Sequence, residues 1–507
     1  MEKPAVQCVD EAATKVQSSP AARSNNNGGW ISFPFIIGSM AGLSLAAAGW
    51  NNNLIVYLIQ EFNMNSVSAA KVYNMANGCS TIFPILGAVV ADSFLGCFSV
   101  IWISSFISLL GALLLTFTAA IDTLRPQRCG YGWGECRNAS TSQLTFLYAA
   151  LALAYLGNGG TRFTIGSMGA NQFQKPKHQA IFFNCLAQVV VAAIRKKSFS
   201  LGGEDYYHGT KSQDSATRTD FPKPSKFFRF LNRAALVTEG DKKQDGLIAE
   251  PWKLCTVQQV EDLKILIKLF PLWTTGLFLY TPLVIQASLA ILQALKMDRS
   301  FGSHFKIPAG SVVVFTLIST CITITFTDRV LFPLLNRCIR SSLTPLRRVG
   351  IGHLLTVVSM ALSALVESKR IKIVKSHHQN NVVAPMSVFW LAPQLAITGI
   401  GLAFHSPGYA GFYYQEFPSS LKSTSTAVVA VFVGAAFYLG NGVMDLVQSV
   451  TGWLPENIDN GRLDNVFWVV CVLGAANSVY YLVCASLYKY KNVDQEVNDS
   501  IDKIDSN

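Results

Sequence analysis

Arg162 interrupts one apolar stretch of this 507-residue chain and Asp445 interrupts another. A charge taken into hydrocarbon costs several kcal/mol unless it meets a partner or water. Each is therefore half of an ion pair, such as one between Arg162 and Asp445, or part of a wet pathway. A guanidinium left free in such a pathway attracts an anion and holds planar oxyanions through its fork of donors. The carboxylate is the group whose protonation would couple that movement to a proton. Tyr57, Tyr280, Gln286, His405 and Asn441 also fall within apolar segments. Each is a candidate for lining the pathway or for an inter-helix hydrogen bond, and His405 for tuning pH dependence. In the triplet at 51–53, Asn51 and Asn52 belong either beside the cavity or at its outer mouth.

The elements that position these groups follow from composition. Half the residues are hydrophobic and 14% are charged, which describes a polytopic membrane protein rather than a water-solvated domain. Crossing a bilayer takes roughly 20 apolar residues as helix. Ten such spans are predicted, at 31–60, 72–91, 98–120, 144–168, 258–292, 309–327, 349–366, 385–410, 424–448 and 465–488. Residues 1–30 read as a cytosolic disordered N-terminus without a cleavable signal. A four-helix bundle at 31–185, a cytosolic linker at 186–257, a six-helix bundle at 258–490 and a cytosolic tail at 491–507 complete the expected organisation. The even span count puts the basic linker and the arginine-rich loop 328–348 on the N-terminal side, in accord with the positive-inside rule. Lys369, Arg370, Lys372 and Lys375 fall on the other side and oppose it.

The net charge of +11 lies mostly in connecting loops. No aromatic-interleaved basic patch points to nucleic acid. Cys129 and Cys136 flank a loop in which Asn138 begins an N-x-S sequon; on the non-cytosolic side, a disulfide and a glycan are both permitted there. H-E-x-x-H, G-x-S-x-G and Walker-type loops are missing, so no enzyme, cofactor or metal is expected.

Between the second and third spans, "GAVVADSFLGCF" resembles the loop signature of the major facilitator superfamily, with Gly87, Asp92 and Gly96 in its G-x-x-x-A-D-x-x-x-G frame. Cys97 stands where that signature has Arg or Lys. "LGNGGTRFTIGSMGANQF" at 156–173, "FFN" at 182–184, "VEDLKILIKLFPLW" at 260–273 and "FYYQEFPSSLKS" at 412–423 resemble the proton-dependent oligopeptide transporter family. "NLIVYL", "TLRP", "MDRSFG" and "FKIPAGS" are most similar to its plant nitrate and peptide transporters, the nitrate excretion group in particular. The resemblance implies an all-α major facilitator-type bundle in the plasma membrane. It also implies that the usual fifth and sixth helices are missing, because Cys185 is followed at once by a segment that relatives place after them. At Arg162 it implies a cationic substrate or coupling residue. The E-x-x-E-R motif of proton-coupled relatives aligns with Met40, Ala41, Gly42, Leu43 and Ser44, so its acids are gone, and Leu402 replaces a tenth-helix acid. Facilitated or weakly coupled efflux of nitrate or chloride is the expected activity. The alternative is a truncated, non-transporting chain that regulates a full-length relative or is a dead end.

Overall fold

The computed structural model describes residues 33–90, 95–127, 138–171, 180–199, 206–207, 224–225, 227–238, 240–241, 248–250, 252–339, 343–376, 383–417, 425–488 and 490. Four long helices come first: α1 (Phe33–Gln60), α2 (Ser66–Val90), α3 (Gly96–Ala120) and α4 (Thr141–Asn171). A shorter α5 (Ala180–Arg195) precedes the linker. The second half contains α6 (Val257–Leu295), α7 (Val314–Phe326), α8 (Phe332–Ile339), α9 (Pro345–Ser376), α10 (Ala392–Glu416), α11 (Ser425–Val450) and α12 (Leu463–Leu487). Each expected span overlaps one of these helices, although 385–391 lies in the strand Ala384–Ser387 and the 3-10 turn Val388–Leu391 that precede α10. Seven helical segments are long and apolar enough, on their described residues, to cross a membrane.

Apolar residues are exposed in stripes, the reverse of a water-soluble fold. On α3, Trp102, Phe106, Leu109, Leu113 and Phe117 point outward along one face, as lipid contact requires. The opposite face packs on α4 with almost no side-chain thickness. A Cβ on Gly111 would lie 2.3 Å from Ala154 N, and one on Gly157 2.3 Å from Ser108 N. The glycines of "LGNGGTR" thus serve close helix approach. Gly87 of α2 meets Gly160 of α4 in the same way, its Cβ position 3.0 Å from the Gly160 Cα. Gly96 opens α3 with φ +75, a left-handed conformation that favours glycine.

The two halves meet along two seams. α2 packs on α11, and α1 packs on the 3-10 turn Ala309–Val313 that leads into α7. In the second half, α9 packs on α10 and α12, and α6 on α11 and α12. Thr256 caps α6: its side chain accepts from Gln259 N while the Gln259 side chain accepts from Thr256 N, pairing two otherwise orphaned amides.

Three expected boundaries are corrected. The loop expected at 328–348 begins later, because a π turn at Thr327–Leu331 carries the helix of α7 into α8. Val330, Leu331, Phe332, Leu334 and Leu335 continue the apolar pattern between the charges. The basic residues Lys369, Arg370, Lys372 and Lys375, expected in the connection after the span 349–366, are still helical, in a helix that runs to Ser376. Hydropathy falls there because of Glu367 and Arg370, but the buried stripe Val366, Glu367, Arg370, Ile371, Val374 continues. Arg370 is neutralised inside the protein and Lys369 lies over the Trp390 ring, 3.5 Å from its centroid, so the count of free loop cations opposing the charge rule shrinks. Finally, α5 extends back from the linker through 16 residues. At ~1.5 Å per residue this is about 24 Å, short of a bilayer core.

Candidate functional site

A cavity of about 280 Å³ opens between α1, α2, α4 and the start of α7. α1 supplies Met40, Leu43, Ser44, Trp50, Asn51 and Asn52, and α2 supplies Asn77 and Ser80. Tyr155, Asn158, Thr161 and Ile165 come from α4, and Val313 and Leu317 close the far wall. Among the described residues the lining holds no carboxylate and no cation. The three positions where an E-x-x-E-R motif would place its charged groups, Met40, Leu43 and Ser44, all face this space.

An amide cluster braces the wall. Asn51 Nδ2 donates to Asn77 Oδ1 at 3.0 Å, and Asn77 Nδ2 donates back to Asn51 Oδ1 at 3.2 Å. Tyr155 OH donates to Asn51 Oδ1 at 2.5 Å, and the Tyr155 ring meets Trp50 edge-on, centroids 4.6 Å apart. Three helices are locked around one polar contact, with further amide and hydroxyl groups of Asn52, Ser80 and Asn158 along the lining. Sequence reasoning singled out Asn51 and Asn52 without deciding between cavity and mouth; the structure puts both in the cavity wall. It missed Asn77, Tyr155 and Asn158. Asn158 sits within the glycine-rich motif, and that was its only signal.

The remaining candidates occupy other places. Arg162 lies on α4 next to the lining residue Thr161, but its side chain is outside the described residues, as are Asp92, Cys129 and Cys136. Asn138 is exposed. Tyr57 shares a hydrogen bond of 2.8 Å with Thr118 Oγ1, tying α1 to α3. Gln286 is buried inside the second half, donating to Ser359 Oγ at 2.9 Å and Ser363 Oγ at 2.8 Å and accepting from Thr398 Oγ1 at 2.7 Å. This set satisfies both ends of its amide and joins α6, α9 and α10. Tyr280 meets His405 edge-on, with ring centroids 5.2 Å apart. His405 is fully buried, with neither ring nitrogen hydrogen-bonded to a described residue.

Asn441 and Asp445 belong to the seam between halves. Asn441 accepts from Asn74 Nδ2 at 3.0 Å and donates to the Lys71 carbonyl at 2.9 Å. Asp445 is exposed and pairs with Lys71, whose ammonium also reaches Gln448 Oε1 at 2.7 Å. Asp445 is thus engaged by Lys71. Farther along, Asn65 donates to Glu456 at 2.7 Å. This row joins the halves at the end of the bundle where α1 finishes and α2 begins.

The same end of the second half contains a buried ionic cluster. Arg370 is fully buried, holds Glu367 bidentately at 2.9 and 2.8 Å and donates to Asp459 at 2.6 Å. Lys296 approaches the second Asp459 oxygen at 3.1 Å, and Gln293 donates to Glu367 at 2.7 Å. Two cations and two anions balance, as burial demands.

Comparison with known proteins supplies the family to which this bundle belongs. The PTR2 family, described as the POT family, matches in two stretches, 98–190 and 181–459. The chain belongs to the POT family. Protein NRT1/ PTR FAMILY 2.7 of Arabidopsis thaliana is 43% identical over 542 positions, covering 96% of this chain and 97% of the relative. Protein NRT1/ PTR FAMILY 2.3 of the same plant is also 43% identical, covering 93% and 95%. The POT family transporter PepTSo has a similar fold, with a TM-score of 0.57, 18% identity and coverage of 91% of this chain and 100% of that one. An auto-inhibited POT family peptide transporter gives 0.57 at 15% identity, covering 90% and 97%. Fold and family are those of a multi-pass membrane transporter. The first alignment is longer than the 507 residues of this POT-family chain, so that relative carries residues with no counterpart here. The two family matches meet at 181–190, within α5.

Proposed function

We propose that this chain is a facilitator for small inorganic anions, nitrate or chloride, that moves them out of the cytosol across the plasma membrane with both termini cytosolic. The observation that carries the reading is the neutral wall at Met40, Leu43 and Ser44. Without acids there, the described lining lacks groups whose titration would tie flux to a proton gradient. Amide and hydroxyl donors of Asn52, Ser80 and Asn158 suit a weakly hydrated anion, and this reading assigns the attracting charge to Arg162, the residue after Thr161 on α4. An inside-negative potential drives a cytosolic anion outward by about 2.3 kcal/mol per 100 mV. The seam formed by Lys71, Asn74, Asn441 and Asp445 is the contact that must part for the cavity to open at that end.

A second reading has its own support. α1 is exposed along much of its first half, with Phe35, Ile37 and Leu45 uncovered, and a Cβ on Gly38, Gly42 or Gly49 would meet nothing within 4 Å. Those surfaces, with the break in the family match, fit a chain lacking its fifth and sixth helices that regulates a longer relative or is a dead end. Purified protein in liposomes separates the two. A facilitator passes nitrate or chloride in response to an imposed potential and is indifferent to an imposed pH gradient. Monodisperse protein that passes neither anion rejects transport by this chain.

A further inference from the structure

The short helix α5 does not stand free. Val189, Ala192 and Ala193 pack with Leu231, Ala234 and Ala235 of the 3-10 helix Arg229–Ala235 and with Val257 and Val260 of α6, forming a small core of its own. Lys196 closes it. Its ammonium is buried and donates to Asp241 Oδ2 and to the Leu236 carbonyl, both at 2.6 Å. The platform is rigidly attached to the start of α6, where Lys264 donates to the Ser225 carbonyl at 2.8 Å and to Glu261 at 2.7 Å.

α6 has 39 residues, about 58 Å at ~1.5 Å per residue, against a bilayer core of about 30 Å. Its first turns hold Glu261, Asp262, Lys264 and Lys268, so they project beyond the hydrocarbon and the platform packed on them sits beside the headgroups. Yet the platform turns apolar groups outward. On α5 the face opposite the small core consists of Ala187, Val190, Val191 and Ile194, spaced i, i+3, i+4, i+7, with Ile194 62% exposed. Phe199, Phe227 and Phe230 are also about half exposed. Arg195, Lys197 and Arg229 stand exposed beside them, with no ion pair to a described residue. Apolar side chains bordered by exposed cations, held at headgroup level, are complementary to an anionic lipid surface.

We propose that this platform is a membrane-docking surface, its Val190, Ile194, Phe199, Phe227 and Phe230 side chains entering the leaflet beside it and Arg195, Lys197 and Arg229 binding anionic headgroups. The docking is independent of which anion the cavity carries and of whether the chain transports at all.

The test places a photo-crosslinking amino acid at Ile194 or Phe230 of the full chain, both exposed enough to accept it, with Lys253 as a polar control on the same platform. The protein is reconstituted in phosphatidylcholine, with or without phosphatidylserine. Lipid adducts are expected at 194 and 230 and not at 253, with a several-fold higher yield when phosphatidylserine is present. Arg195→Glu combined with Lys197→Glu should abolish that enhancement. Adducts to a second protein chain, or none at 194 and 230, overturn the docking surface; equal yields in the two lipid mixtures overturn the anionic assignment. Resistance of the linker to protease in each variant verifies that the platform remains folded.

Discussion

Glu367→Gln tests the buried ionic cluster directly. In the native protein Arg370 is surrounded by Glu367 and Asp459, and the second Asp459 oxygen serves Lys296. Replacing Glu367 by glutamine leaves two cations on one carboxylate, with Arg370 fully buried and unable to reach water. Breaking a buried pair from one side costs about 3–5 kcal/mol. Asp459→Asn should cost less, about 1–3 kcal/mol, because Arg370 keeps its bidentate partner and the Lys296 ammonium, 28% exposed, can turn to solvent. The double variant Glu367→Met, Arg370→Met should recover most of the loss, since the remaining Asp459 and Lys296 still pair and the chief residual cost is the Gln293 amide. Equilibrium unfolding in mixed micelles measures all three. A double variant no more stable than Glu367→Gln, or Asp459→Asn as damaging as Glu367→Gln, would refute the charge-balance argument.

Asn51→Leu removes the amide shared by Asn77 and Tyr155; anion flux in liposomes should fall roughly tenfold, about 1.4 kcal/mol on the barrier, with the protein still monodisperse. Met40→Glu with Leu43→Glu puts acids back on the cavity wall, so flux should become pH dependent and rise on acidification as the glutamates, normally titrating near ~4.3, lose their charge; a flat profile between pH 4 and 7 would count against the lining. Asp445→Asn should change stability by less than ~1 kcal/mol, the pair with Lys71 being solvent-screened, and should leave the pH response of flux unaltered. Burial alone would push the Asp241 carboxyl up, but its bonds from Lys196 and Thr238 outweigh this and hold it below the usual carboxylate range. Its contribution to platform stability is therefore present above the unfolded value near ~3.9 and lost as pH falls through the lower folded value. Limited proteolysis of the linker should show protection at pH 5 and its loss only in stronger acid, whereas Asp241→Asn, which strands the buried Lys196, should expose the linker at neutral pH.

Helix placement was legible because a bilayer asks only for length and apolarity, and "GGTR" and its companions resemble one family closely enough to indicate the bundle. Boundaries were less legible where charges are satisfied internally. Glu367 and Arg370 read as the start of a loop because hydropathy scores each charge alone, while the protein buries them as a pair. The candidate site was only partly legible. Reading Met40, Leu43 and Ser44 as uncharged replacements needed the sequence alone, but their facing a cavity needed α2, α4 and the start of α7. Gln286, Tyr57 and Asn441 looked alike as polar residues in apolar runs. What separates them is the partner each meets on another helix, 73, 61 and 367 residues away for Ser359, Thr118 and Asn74.

By itself, then, the sequence determined that this is a helical membrane protein of transporter type, that α1 carries no acids, and that the chain changes character after Cys185. The tertiary structure alone decided that Asp445 answers Lys71, that Asn51, Asn77 and Tyr155 form one cluster, and that the stretch after Cys185 belongs to a helix packed on the linker and the start of α6. The physical reason is that transfer into hydrocarbon is a local property summed along the chain, whereas pairing of buried polar groups depends on which side chains distant segments bring within about 3 Å.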